Sequence, residues 1–141
     1  MIRDEEFKRL VFYAKGLGLK VTVYNKKADS FGSWDGQEIK IYWGKGQSKT
    51  DLVLTLLHEL GHQKDHSTRN RKVTKKSNIA WEREGLRKHG EILPRALRQV
   101  IYYDELCGVE CWDSIIQDVD LKIPRWRIEF QKERDLWVYQ T

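Results

Sequence analysis

His58-Glu59-Leu60-Gly61-His62 sets two imidazoles four residues apart with a carboxylate between them. On a helix, positions i and i+4 lie about 40° apart and one turn up, so both rings lean to one side. Two imidazoles so placed can converge on one zinc ion. Glu59 is one step round from His58 and can take a proton from water bound to that ion, as a general base. Zinc brings the pKa of its bound water towards neutrality, and the resulting nucleophile attacks a polarised carbonyl. The chemistry expected of this pentapeptide is therefore hydrolysis. His66 lies one turn beyond His62. Ligands on three successive turns of one helix meet a single ion poorly, so His66 is expected in a polar supporting role.

A catalytic zinc site usually has three protein ligands and one open position. Gln63-Lys64-Asp65 follows His62, so the set must be completed from later in the chain, most naturally by a carboxylate. The candidates are Glu82, Glu84, Glu105 and Glu110. On a wheel starting at Ile101, residues Trp112, Ile116 and Val119 fall within about 60°, Glu105 near 40° and Glu110 near 180°. A carboxylate in an apolar stripe must be compensated, and a metal ion would do that. Gly108 would let this segment approach the motif helix closely, as would Gly61 on the other side. Glu105 ranks first. Glu82 ranks second, since it shares a face with Ile79, Leu86 and Leu93, and Glu110 ranks third. Tyr102 and Tyr103 precede Glu105, and either could donate to an oxyanion at the ion.

The elements that must hold these groups follow from periodicity. Phe7, Leu10, Val11 and Ala14 predict a helix from Arg3 to about Gly16. Lys20 to Tyr24 and Gln37 to Trp43 alternate like strands across a polar loop, which predicts a hairpin or small antiparallel sheet. The strand Glu38–Trp43 is the expected sheet edge for an extended substrate. Ser48 or Thr50 can cap the next helix, expected from Asp51 to about Asp65. Its Leu52, Val53, Leu56, Leu57 and Leu60 form a stripe of roughly 140°, with His58 and His62 opposite. Further helices are expected from Asn78 to Leu93, from Pro94 to about Val119, and over a short tail from Arg125 to Tyr139. Helix, strands, then helices is α+β.

The 141 residues suit one domain, 1–141. With 40% hydrophobic residues and six Trp, the chain can bury a core. No apolar run approaches the roughly 18 residues a membrane span needs. Residues Met1 to Glu6 carry no apolar signal-peptide core. Cys107 and Cys111 have no zinc-ligand spacing, which favours a reducing compartment. The net charge is +5. Lys64, Arg69, Arg71, Lys72, Lys75 and Lys76 crowd one stretch, expected to be a solvated loop.

Leu57-His58-Glu59-Leu60-Gly61-His62 resembles the zinc helix of gluzincin peptidases, in particular the small ImmA/IrrE-like and phage-borne metallopeptidases. That group resembles this chain in order: an N-terminal helix, a few strands, the motif helix, then a helix with a glutamate ligand. Its later helix often reads Glu-x-x-Ala. Glu105-Leu106-Cys107-Gly108 is similar, and so is Glu82-Arg83-Glu84-Gly85. The resemblance implies a zinc peptidase in the cytoplasm (the host's, if phage-encoded), with residues 67–97 as an inserted basic loop and helix. It implies a protein or peptide substrate, and for some members cleavage of a repressor of a mobile element under a regulatory partner. The alternatives are a DNA-binding or regulatory module that uses the basic loop and keeps a structural or vestigial zinc site, and an accessory protein that binds a partner through exposed aromatics.

Overall fold

The computed structural model describes residues 4–26, 31–68, 75–88, 90–137 and 139. Among them the chain runs α1 (Asp4–Gly16), β1 (Lys20–Tyr24), β2 (Gly32–Trp34), β3 (Glu38–Tyr42), α2 (Lys49–Thr68), α3 (Lys75–Gly85), α4 (Arg95–Val109), α5 (Trp112–Val119) and α6 (Arg125–Trp137). The class is α+β, helix-dominated, with all three strands in one small sheet. No described helix is long and apolar enough to cross a membrane. Residues 69–74, the centre of the expected basic loop, lie outside the described residues.

The sheet is mixed, not an antiparallel hairpin. Its order is β1-β3-β2, with β1 parallel to β3 and β2 antiparallel to it. The polar segment after Tyr24 supplies β2, which crosses to the far side of β3. β3 is therefore the centre of the sheet and not its edge. Ile39 and Ile41 point into the core from it and are fully buried. The edge beside α2 is β2: a Cβ on Gly32 would stand 2.8 Å from Thr55 Cγ2 and 3.6 Å from Glu59 Cγ.

α2 begins with a reciprocal cap. The Asp51 N–H donates to Ser48 Oγ at 3.1 Å, and the Ser48 N–H donates to Asp51 Oδ2 at 2.8 Å. This satisfies donors that a helix start otherwise leaves open. Leu52, Val53, Leu56, Leu57 and Leu60 enter the main core with Leu10 and Ala14 of α1 and with Ile39 and Ile41. The opposite side of α2 is buried as well, since Gly61, His62 and Asp65 lie under other elements.

The expected helix from Pro94 to Val119 is two helices. The Glu110 N–H donates to Leu106 O at 3.0 Å, and the Cys111 N–H donates to Gly108 O at 3.1 Å. The last turn of α4 tightens and the chain restarts as α5. This redirection lets Trp112, Ile115 and Val119 fill the main core while α4 crosses α2. Gly61 and Gly108 set that crossing. A Cβ on Gly61 would strike Gly108 O and come within 2.9 Å of Trp112.

α3 starts earlier than periodicity suggests and stops at Gly85, well before Leu93. It packs on α4 around a separate small cluster of Ala80, Leu93 and Ile101. α6 follows Pro124, whose carbonyl accepts from the Arg127 N–H at 3.0 Å, and buries Ile128 and Leu136.

Candidate metal centre

α2 and α4 meet where their glycines allow it, and three side chains converge beside the crossing. Glu105 Oε1 lies 2.9 Å from His62 Nε2, and Glu105 Oε2 lies 3.0 Å from His58 Nε2. One donor atom from each of His58, His62 and Glu105 lies within 4.8 Å of the others. These three form a candidate metal-binding triad. A tetrahedral ion with bonds of about 2.0–2.1 Å spaces its ligand atoms about 3.3 Å apart. The imidazole-to-carboxylate gaps are within a few tenths of an ångström of that, so the residues fit such an ion.

The other glutamate candidates lie elsewhere. Glu82 and Glu110 are exposed. Glu84 accepts from the Arg87 guanidinium at 3.1 Å and from Tyr139 Oη at 3.5 Å. Tyr103 is exposed and Tyr102 packs against the main core. His66 stands 5.0 Å from Trp34, ring centre to ring centre, and packs on that aromatic.

Burial and charge set the state of the triad. Burial pulls His58 downward, but Glu105 and the bond to Asp135 outweigh it and hold the imidazole well above its ordinary value. Burial pushes the other way on Glu105, yet the charge and hydrogen bonds of His58 and His62 hold it well below the usual carboxylate range. His58 and Glu105 thus each favour the charged form of the other. Glu59 is pushed up by burial, against the pull of both histidines. Its Oε1 lies 3.9 Å from His58 Nε2, beside the triad.

Gly108 gives the His62 ring its place: a Cβ there would stand 3.0 Å from His62 Nδ1. Trp34 of β2 stacks near-parallel to that ring at 6.1 Å between centres, and its Nε1 donates to Gln63 Oε1 at 2.8 Å. Trp112 meets His58 edge-on at 6.0 Å. A cleft of about 340 Å³ opens alongside, between β2, the first half of α2 and α6. Phe31, Thr55, His58, Glu59 and Arg134 are among its walls.

Sequence reasoning missed two contributors. β2 is three residues long, too short for periodicity to show. On α6, Asp135 Oδ2 accepts from His58 Nδ1 at 3.0 Å. The one available signal was the polar line Arg127, Gln131, Asp135 at four-residue steps, and nothing local aims that line at the motif.

No family model matches this chain, and no curated protein or solved structure matches it. The site defines an α+β protein carrying a candidate two-histidine, one-glutamate metal centre beside an open cleft.

Proposed function

We propose that the protein is a zinc-dependent peptidase. The observation that carries this reading is a set of three donors, His58, His62 and Glu105, with a separate carboxylate, Glu59, that lines the cleft together with His58. Two imidazoles and a carboxylate are the donor set of zinc hydrolases, and three protein ligands leave a position open. When bound, zinc would lower the pKa of a coordinated water and polarise a peptide carbonyl. The His58 and His62 rings stand 5.1 Å apart at 74° to each other, and their Nε2 atoms lie 3.0 and 2.9 Å from the Glu105 carboxylate. Glu59 holds the proton that leaves the nucleophilic water and returns it to the leaving amine. Trp34 packs against His62 and Trp112 against His58. A peptide would enter beside β2, the sheet edge nearest Glu59.

Metal analysis of the purified chain tests the first half, with about one zinc per chain expected from a three-ligand site. Glu59→Gln tests the second half. It should keep the zinc and slow peptide hydrolysis by roughly 10²–10⁴-fold, the contribution of a positioned general base. Full hydrolysis by that variant would remove the assigned role.

A further inference from the structure

We propose that Asp135 is a positioning residue of the metal centre, fixing the tautomer and rotation of His58 from the C-terminal helix. The inference rests on the metal reading of His58, His62 and Glu105, and is independent of the bond hydrolysed. A neutral imidazole carries its proton on one nitrogen and offers a lone pair at the other. Asp135 Oδ2 accepts from Nδ1 at 3.0 Å, which assigns the proton to that atom and leaves Nε2 to the triad.

Asp135 is itself held. Its Oδ1 accepts from Gln131 Nε2 at 2.8 Å, and Gln131 Oε1 accepts from the Arg127 guanidinium at 2.9 Å. Arg127 then donates to Asp51 Oδ1 at 3.1 Å, in the first turn of α2. The steps from Arg127 to Asp135 cover about 12 Å of helix, and those from Asp51 to His58 about 10.5 Å. The first half of α2 and α6 are therefore bridged at two points along the cleft by the same polar line. α6 is fixed on its other side by Arg125 and Lys132, 3.0 and 3.1 Å from Asp113, and by buried Ile128 and Leu136. A carboxylate on so constrained a helix imposes an orientation on the imidazole. Outer groups of this kind typically account for 10–100-fold in metal affinity.

The test titrates zinc into the full chain against a chromophoric chelator, for wild type, Asp135→Leu, Asp135→Asn and Gln131→Leu. Asp135→Leu should bind roughly 10–100-fold more weakly, Asp135→Asn less so because its carbonyl still accepts, and Gln131→Leu a few-fold more weakly. Cobalt(II) in place of zinc should show a shifted visible spectrum in Asp135→Leu, which a purely structural role would not produce. Wild-type affinity and spectrum in a folded Asp135→Leu would overturn the proposal while leaving the metal reading intact. If that variant does not fold, Asp135→Asn and Gln131→Leu decide, with unchanged affinity in both counting against it. A wild-type chain that takes up no zinc, or a His58→Ala chain that binds as tightly as wild type, would remove the metal reading and this inference with it.

Discussion

The two sides of α2 are both buried and are held by different physics. On one side Leu52, Val53, Leu56, Leu57 and Leu60 sit in the main core. Their burial is favourable in proportion to area and asks for no particular direction. On the other side His62 and the neighbouring Glu59 lie under β2, α4 and α5, with His58 at the rim. Burying such groups is costly unless each finds a partner at hydrogen-bond distance. The histidine side is therefore specified atom by atom, by Glu105, Asp135, Gly108 and Trp34, where the leucine side is specified by volume. One helix can carry both because the leucines anchor it and leave the histidine side free to be strained by charge.

That contrast predicts a double dissociation. Glu105→Gln, close in shape to the glutamate, should have the largest effect on metal. Zinc affinity should drop to background, since two imidazoles alone make a poor site. The metal-free chain should stay folded, as circular dichroism would show. Zinc retained at full affinity would assign the third ligand elsewhere and break the comparison. Leu57→Ala should do the reverse. It removes a fully buried side chain and should destabilise the chain by about 2–5 kcal/mol in denaturant titrations. Its zinc affinity, measured where the variant is folded, should remain within a few-fold of wild type. A hundred-fold loss there would mean that the two sides are not separable.

Gly61→Ala falls between them, because Gly61 lies where α2 crosses α4. The added methyl would strike Gly108 O and Trp112, a backbone atom and a fully buried ring, neither of which yields easily. Overpacking of this kind costs about 1–3 kcal/mol, partly offset by the 0.5–1 kcal/mol that alanine gains over glycine in a helix. Both readouts should move together in this variant. An unchanged unfolding midpoint with unchanged zinc affinity would show that the crossing can relax.

The same division explains what the sequence made legible. α2 was readable because its signals are local: Ser48 or Thr50 as a cap with Asp51 in the first turn, a leucine stripe, and the paired histidines. Glu105 was readable as a carboxylate among apolar neighbours, although the wheel ran through the break at Glu110 and Cys111 and borrowed Trp112, Ile116 and Val119 from α5. Ile101, one turn before Glu105 and fully buried, carries the argument that survives. The parallel pairing of β1 with β3 was not readable, since it depends on a three-residue strand with no periodicity of its own. Asp135 was not readable because the irregular segment Leu121 to Pro124 aims α6, and that direction is tertiary. Atoms placed by packing across long sequence separations leave little trace in local pattern.

The smallest expected effect is the pH dependence, and it separates the two sides most cleanly. In the metal-free chain His58 is held above its ordinary value of 6.5, so its contribution to stability is full below that pH and is lost as pH rises through the higher folded value. Glu105 is held below its ordinary 4.5, so its contribution is full above that pH and is lost as pH falls through the lower folded value. The pair therefore supports the metal-free chain best between about pH 4.5 and 6.5, and that support fades on the alkaline side. On the proposed metal reading zinc should reverse the slope, because a metal ion takes the unprotonated imidazole and competes with the proton on His58. Below the raised His58 value, zinc affinity should fall by up to about tenfold per pH unit, equivalent to about 1.4 kcal/mol for one proton. Unfolding midpoints measured from pH 5 to 9, with and without zinc, should diverge as pH rises. Leu57→Ala should shift both curves down without changing the gap between them. Glu105→Gln should close the gap and weaken the alkaline decline of the metal-free curve, because the largest of the groups that favour the imidazolium is gone while Asp135 and Glu59 remain. A gap that is the same at every pH would mean that zinc does not meet His58 at the nitrogen where Glu105 now waits.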